Sequence, residues 1–275
     1  MVRIKEFPNR TFKTIEHAFE ALMEHKERLI SLKCSQVYKS CEKSDLRILP
    51  FLTKSVFSEK AQREPWMKDG MLYPIINTTK YFDSHNDVHF DGLWKRSLQH
   101  NKGKLYYVEA HSLKIADIIA WPENVKSFTK EIPWSLVGKN FSGNTEALIY
   151  EIPEDKIGHQ GALKVISEKR EMQNSVRMQY VEIKLGLNSE SKDWEEEKAY
   201  FDEKYPLIAN KEDVDEYGYF WGVEEAKIFK EGSMVIAGSN DATSIIYTEE
   251  PAQGTSSKTE TAQGTSKSEY LRSLI

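Results

Sequence analysis

Cysteine is nearly missing from this chain: Cys34 and Cys41 are the only two among 275 residues. Two thiols are too few for a disulfide framework, and neither has the clustered partners of a zinc site, so a reducing cytoplasm is expected. Long apolar runs are missing too. No stretch approaches the roughly 18 residues of a spanning helix. The opening "MVRIKEFPNRTFK" lacks an apolar signal-peptide core, so neither membrane insertion nor secretion is expected. Positive charge is not in excess. With 38 Lys and Arg against 43 Asp and Glu, the net charge is −5 and the pI is near 5.9. There is no basic footprint for tracking phosphates, which argues against nucleic acid as a partner.

What is present describes a fairly polar globular chain, long enough for one good core with additions. In "TFKTIEHAFEALMEHKERLISLK", residues 11–33, Phe12, Ile15, Phe19, Leu22, Met23 and Ile30 recur at helical spacing, which predicts one amphipathic helix. Residues 1–68 are read as a helical N-terminal region. From Gly70 the period changes to short runs rich in β-branched and aromatic residues, among them "KLYYVEAHSLKIADIIAW", "SVRMQYVEIKLGL", "GYFWGVEEAKIF" and "GSMVIAG". These predict a mainly β domain over residues 69–247. It is interrupted by helices near 160–170 and 191–205. In the stretch "NSVRMQYVEI", Val176, Met178 and Tyr180 alternate, and the parity then switches to Val181, Ile183 and Leu185. A strand that changes its buried face is bulged or bent. Residues 248–275 repeat AQGTS within a Gly/Ser/Thr/Gln/Lys stretch and read as a disordered low-complexity tail.

Several motif matches carry no chemistry. "GKNFSGNT", residues 138–145, imitates a P-loop, but Asn144 stands where the phosphate-binding lysine belongs. It reads as a Gly/Asn turn between two strands. His85 and His89 in "HNDVH" have the spacing that binds metal on a helix, but their surroundings read as a turn and no further ligand cluster is evident. A metal-dependent hydrolase built on them is the weakest reading, and neither metal nor cofactor is expected. The remaining constellation is spread over three strand-like runs. His111 interrupts "YYVEAHSLKI" where an apolar filler is expected. Ser175 heads its strand on the face of Arg177 and Gln179. Glu231 shares a face with Ser233, Val235 and Ala237 in "EGSMVIAGSN". Taken singly, a structural histidine, a strand-end serine and a solvated glutamate are the commoner readings, and the triad is one possibility among many.

The runs "DSHNDVHFDGLWKRSL", "VEAHSLKIADIIAWPENV", "NSVRMQYVEI" and "FWGVEEAKIFKEGSMVIAGSNDAT" occur in that order. Together they resemble the prohead (capsid-maturation) serine proteases of tailed bacteriophages, in the form found in phages of Bacteroides-type hosts. The likeness extends over roughly residues 72–244. That family is similar to the herpesvirus assemblins, so the resemblance implies an α+β, mainly β fold. It would be a small closed β-barrel of assemblin type with flanking helices. It also implies Ser175 as nucleophile and His111 as general base at a solvent-open rim. Glu231 would stand where assemblins carry a second histidine, and the backbone of Gly238, Ser239 and Asn240 would form the oxyanion hole. The implied role is an endopeptidase inside the phage prohead in the host cytoplasm. Its substrates would be scaffold and major capsid protein propeptides, and itself, and its assembly state could be a homodimer. The alternative is a catalytically inactive head-assembly or scaffold protein on the same fold.

Overall fold

The computed structural model describes residues 1–37 and 64–247. The tail reading over 248–275 and the position of Cys41 lie outside the described residues. Near the N-terminus Thr14 caps helix α1 (Ile15–Glu24), its side chain accepting from the His17 amide, and Ala18, Phe19, Ala21 and Leu22 face the core. The single helix expected over 11–33 is two. His25 leaves helical geometry at φ −109°, ψ 9° and joins α1 to α2 (Lys26–Ser35). The break frees α2 to follow its charges rather than its few apolar residues. Lys26 Nζ lies 2.5 Å from Glu197 Oε1 and Lys33 Nζ 2.5 Å from Asp87 Oδ1.

The remaining elements are β1 (Met71–Thr78), β2 (Asp87–His89), α3 (Lys95–Asn101), β3 (Tyr106–Glu109), β4 (Ile118–Ala120), β5 (Lys126–Pro133), β6 (Asn144–Pro153), α4 (Gln160–Ser167), β7 (Gln173–Leu187), α5 (Glu195–Lys204), α6 (Lys211–Tyr217), β8 (Tyr219–Val235) and β9 (Ile245–Ile246). Strand exceeds helix, and among the described residues no helix is long and apolar enough to cross a membrane. Helices α4 and α5 fall where the sequence places them; α3 and α6 are short helices that periodicity did not reveal. The 138–145 stretch links the β5 side to β6, with Gly138 left-handed at φ 71°.

One sheet has the order β5-β6-β1-β9. In the other, the long strand β8 pairs antiparallel with β7 along one edge, while β2 and β3 share its opposite edge, both parallel to it, and β4 extends β3. Among the described residues these are two open sheets, and the closed barrel expected from the resemblance is not found. The sheets pack face to face, with Tyr107 of β3 edge-on to Tyr150 of β6. At Gly232 the approach is so close that a Cβ would lie 2.9 Å from the Tyr150 ring and 3.0 Å from Ile76, so only glycine fits. The N-terminal residues Ile4, Phe12, Phe19 and Leu22 belong to this same core.

The face change in β7 is present. Val176, Met178 and Tyr180 are buried and Ile183 and Leu185 return to the core, but Val181, expected to begin the new buried face, is 50% exposed. Register shifts at 176/178 and 180/182 accompany it. The runs expected as separate strands, "GYFWGVEEAKIF" and "GSMV", are one strand. A wide bulge joins them: residues 229–231 of β8 stand opposite the single Arg177 of β7, with Lys230 at φ 73°.

His89 lies in strand β2, not in a turn with His85. Its Nδ1 faces the Asn77 amide at 3.0 Å, and its ring meets Trp94 and Tyr180 edge-on. Burial holds its pKa below the ordinary histidine value. The unfolded chain therefore binds the proton first, so stability should fall as pH drops from about 6.5 toward the depressed value. In His89→Gln, urea titrations from neutral to mildly acidic pH should show a flatter decline. An unchanged slope would remove His89 as the cause.

Candidate active site at the His111 turn

The strand expected through His111 stops two residues short of it. After the Ala110 amide donates to Met234 O at 2.9 Å, the chain turns, and Ala110 and His111 both take left-handed backbone, φ 47° and 58°. Neither is glycine, so each costs about 1–2 kcal/mol that surrounding contacts must offset. Among the described residues, three hydrogen bonds hold His111. Its amide donates to Ser233 Oγ at 2.7 Å. Its carbonyl accepts from Arg177 Nη2. Its ring Nδ1 lies 2.8 Å from Glu231 Oε1. Ser233 is itself fixed, donating to Val108 O at 3.1 Å.

Glu231 is fully buried. It emerges from the β8 bulge on the side of Arg177, whose Nε lies 3.1 Å from the same Oε1. Its second oxygen, Oε2, has no hydrogen-bond partner among the described residues. A carboxylate can only accept from the ring, so Nδ1 carries the proton and Nε2 keeps the basic lone pair. A buried acid–imidazole pair in that tautomer is the arrangement a general base requires.

Ser175 is the ladder partner of Ser233 across β7 and β8. Ser233 thus touches His111 on one side and faces Ser175 on the other, bringing together residues far apart in sequence. The hydroxyl–imidazole bond is not formed: Ser175 Oγ has no hydrogen bond among the described residues. The solvent-open rim expected for this pair is also absent. Ser175 is 7% exposed and His111 6%, so the site is closed over.

Of the three backbone amides expected to form an oxyanion hole, only that of Gly238 has a described acceptor elsewhere. The Gly238 amide donates to Gln173 Oε1 at 2.6 Å, and Ser239 O accepts from the Ser84 amide at 3.0 Å. Buried Asn240 braces a corner through Thr78 O, at 3.0 Å, and the Ala242 amide, at 2.9 Å. No described hydrogen bond joins this loop to His111 or Glu231. Arg177 and Ser233 are the members that sequence reasoning left without a role. Period-two alternation had placed Arg177 on the face of Ser175 and Ser233 on that of Glu231, a signal present but unused.

Beside the turn, donor atoms of Glu109, Asp117 and His159 lie within 4.8 Å of one another. They do not make a metal site. His159 Nδ1 accepts from the Ala162 amide at 3.1 Å as the cap of α4, so its Nε2 bears the proton and faces Glu109 Oε2 at 3.4 Å. Asp117 accepts from Ser112 Oγ.

Comparison with known proteins found no matching family model, no matching curated protein and no matching solved structure.

Proposed function

We propose that this protein is a serine endopeptidase of the phage capsid-maturation kind, with Ser175 as nucleophile, His111 as general base and Glu231 as the carboxylate behind it. The observation that supports this most is the 2.8 Å contact of His111 Nδ1 with buried Glu231, two residues along β8 from Ser233, the ladder partner of Ser175. In this reading Ser175 Oγ attacks the scissile carbonyl as His111 Nε2 takes its proton. The same proton then passes to the leaving amine, and water repeats the cycle on the acyl-enzyme. Glu231 holds the tautomer and stabilises the imidazolium. Bringing the Ser175 hydroxyl into hydrogen-bond reach of His111 is the step substrate binding must drive, as in other enzymes whose hydrogen bonds tighten only in the complex. The substrates would be scaffold and capsid-protein propeptides within the prohead, together with the chain itself.

The second reading, an inactive head-assembly protein, draws on the closed site and the unbonded Ser175 hydroxyl. A fluorophosphonate probe separates the two. Covalent labelling mapped to Ser175 by peptide mass, and lost in His111→Ala, is expected for the peptidase. Absence of labelling under conditions where a control hydrolase reacts fully would favour the assembly protein.

A further inference from the structure

The strand register leaves Arg177 alone opposite the three bulged residues of β8, and its guanidinium fills that gap. Its Nε approaches Glu231 Oε1 at 3.1 Å while its Nη2 binds the His111 carbonyl. One planar fork thus grips both members of the acid–imidazole pair, one through its side chain and the other through its backbone. We propose that Arg177 is the positioning residue of this site, clamping the left-handed His111 turn and setting how much negative charge the imidazole feels from Glu231. The assignment rests on the peptidase reading for its consequence in catalysis, but its electrostatic part does not need turnover.

Two features make the fork more than a structural ion pair. Both donors, Arg177 Nε and His111 Nδ1, converge on the same oxygen, so whatever charge Arg177 neutralises is charge withdrawn from the imidazole. And the backbone it holds is strained, so the clamp on the carbonyl decides where the ring sits. The other charged groups nearby are engaged among themselves. Glu109 faces neutral His159, and Asp117 accepts from Ser112. Tyr150, from the facing sheet, lies in the field of Glu231 and is held neutral by burial. Glu231 and Arg177 are therefore the charges in direct contact with His111 among the described residues.

The test reads His111 itself. NMR titration of its ring protons in a Ser175→Ala background, with the resonance assigned from His111→Asn, requires no substrate. Removing the cation in Arg177→Gln leaves Glu231 unscreened and favours the imidazolium. The titration midpoint should rise by about one pH unit, a tenfold change in proton affinity. On the Ser175-containing enzyme, the acid limb of kcat/KM should move up by the same amount. Arg177→Lys keeps the charge but loses the fork. Its midpoint should stay near that of the parent, while kcat falls about tenfold or more at unchanged KM. A purely structural arginine would lower the melting temperature in both variants and leave the midpoint where it was, and that result overturns the proposal. If Arg177→Gln does not fold, Arg177→Lys decides alone, and a wild-type kcat there also overturns it. Failure of fluorophosphonate labelling together with a shifted midpoint would sink the peptidase reading and leave the Arg177 assignment standing.

Discussion

Replacing Ser175 by alanine should lower peptide-bond hydrolysis by on the order of a million-fold and leave the fold as stable as before. The two halves of that expectation have separate physical grounds. The rate falls because the described hydroxyls next to His111 in contact or in sequence are already engaged. Ser233 accepts from the His111 amide and donates to Val108 O, and Ser112 donates to Asp117. Stability is kept because Ser175 Oγ has no hydrogen bond to lose among the described residues, and its removal strands no partner. His111→Ala should show a comparable loss of rate with a different signature in denaturation. It removes one of the two donors on buried Glu231, at a cost of about 1–3 kcal/mol. Cleavage of a capsid-propeptide substrate, followed by mass spectrometry alongside urea unfolding, reads both. Hydrolysis near the wild-type rate in either variant would end the assignment of that residue.

Glu231→Gln is the second large effect, and it should damage rate and stability together. The amide is nearly isosteric, but if its NH2 turns toward the ring it stabilises the wrong tautomer and leaves Nε2 protonated. An Asp→Asn change at the corresponding place in a serine-protease triad costs about ten-thousand-fold in kcat. Stability should fall as well. Arg177 is only 12% exposed along its side chain, and the substitution leaves its cation without the carboxylate it faces. Breaking a buried pair from one side typically costs about 3–5 kcal/mol; the partial exposure of Arg177 brings the expectation toward the lower end. Single-turnover acylation and chemical denaturation on the same preparation measure the two. A variant that unfolds like the parent and turns over like the parent would show that Glu231 serves neither His111 nor Arg177.

Much of the local structure can be read from residue order. The acidic first turn of α5 and the apolar spacing of α4 mark both helices. The switch from Tyr180 to Ile183 marks the bend in β7. The same alternation places Ser175 with Arg177, and Glu231 with Ser233, on common faces before any coordinates are known. Other features are not local. His25 divides one apparent helix into two because Lys26 and Lys33 find buried acids far along the chain. Nothing in residues 11–33 announces those partners.

His111 shows the same limit. Its run is β-rich, yet the strand ends at Glu109, because Arg177, Ser233 and Glu231 together hold a left-handed turn that an isolated segment would avoid. The β8 bulge likewise reflects a register set by β7 and β3 on opposite edges.

By itself, then, the order of residues determined which segments become strands and helices, which side chains share a face, and which few polar groups stand where apolar ones would be expected. These are short-range properties, governed by a repeat of two or about 3.6 residues. The tertiary structure alone decided that the sheets stay open, that Ser175 and His111 are nearly sealed, and that one arginine fork joins the histidine to its acid. Those outcomes depend on register and closure between segments more than fifty residues apart, where a single bulge re-aims every side chain beyond it.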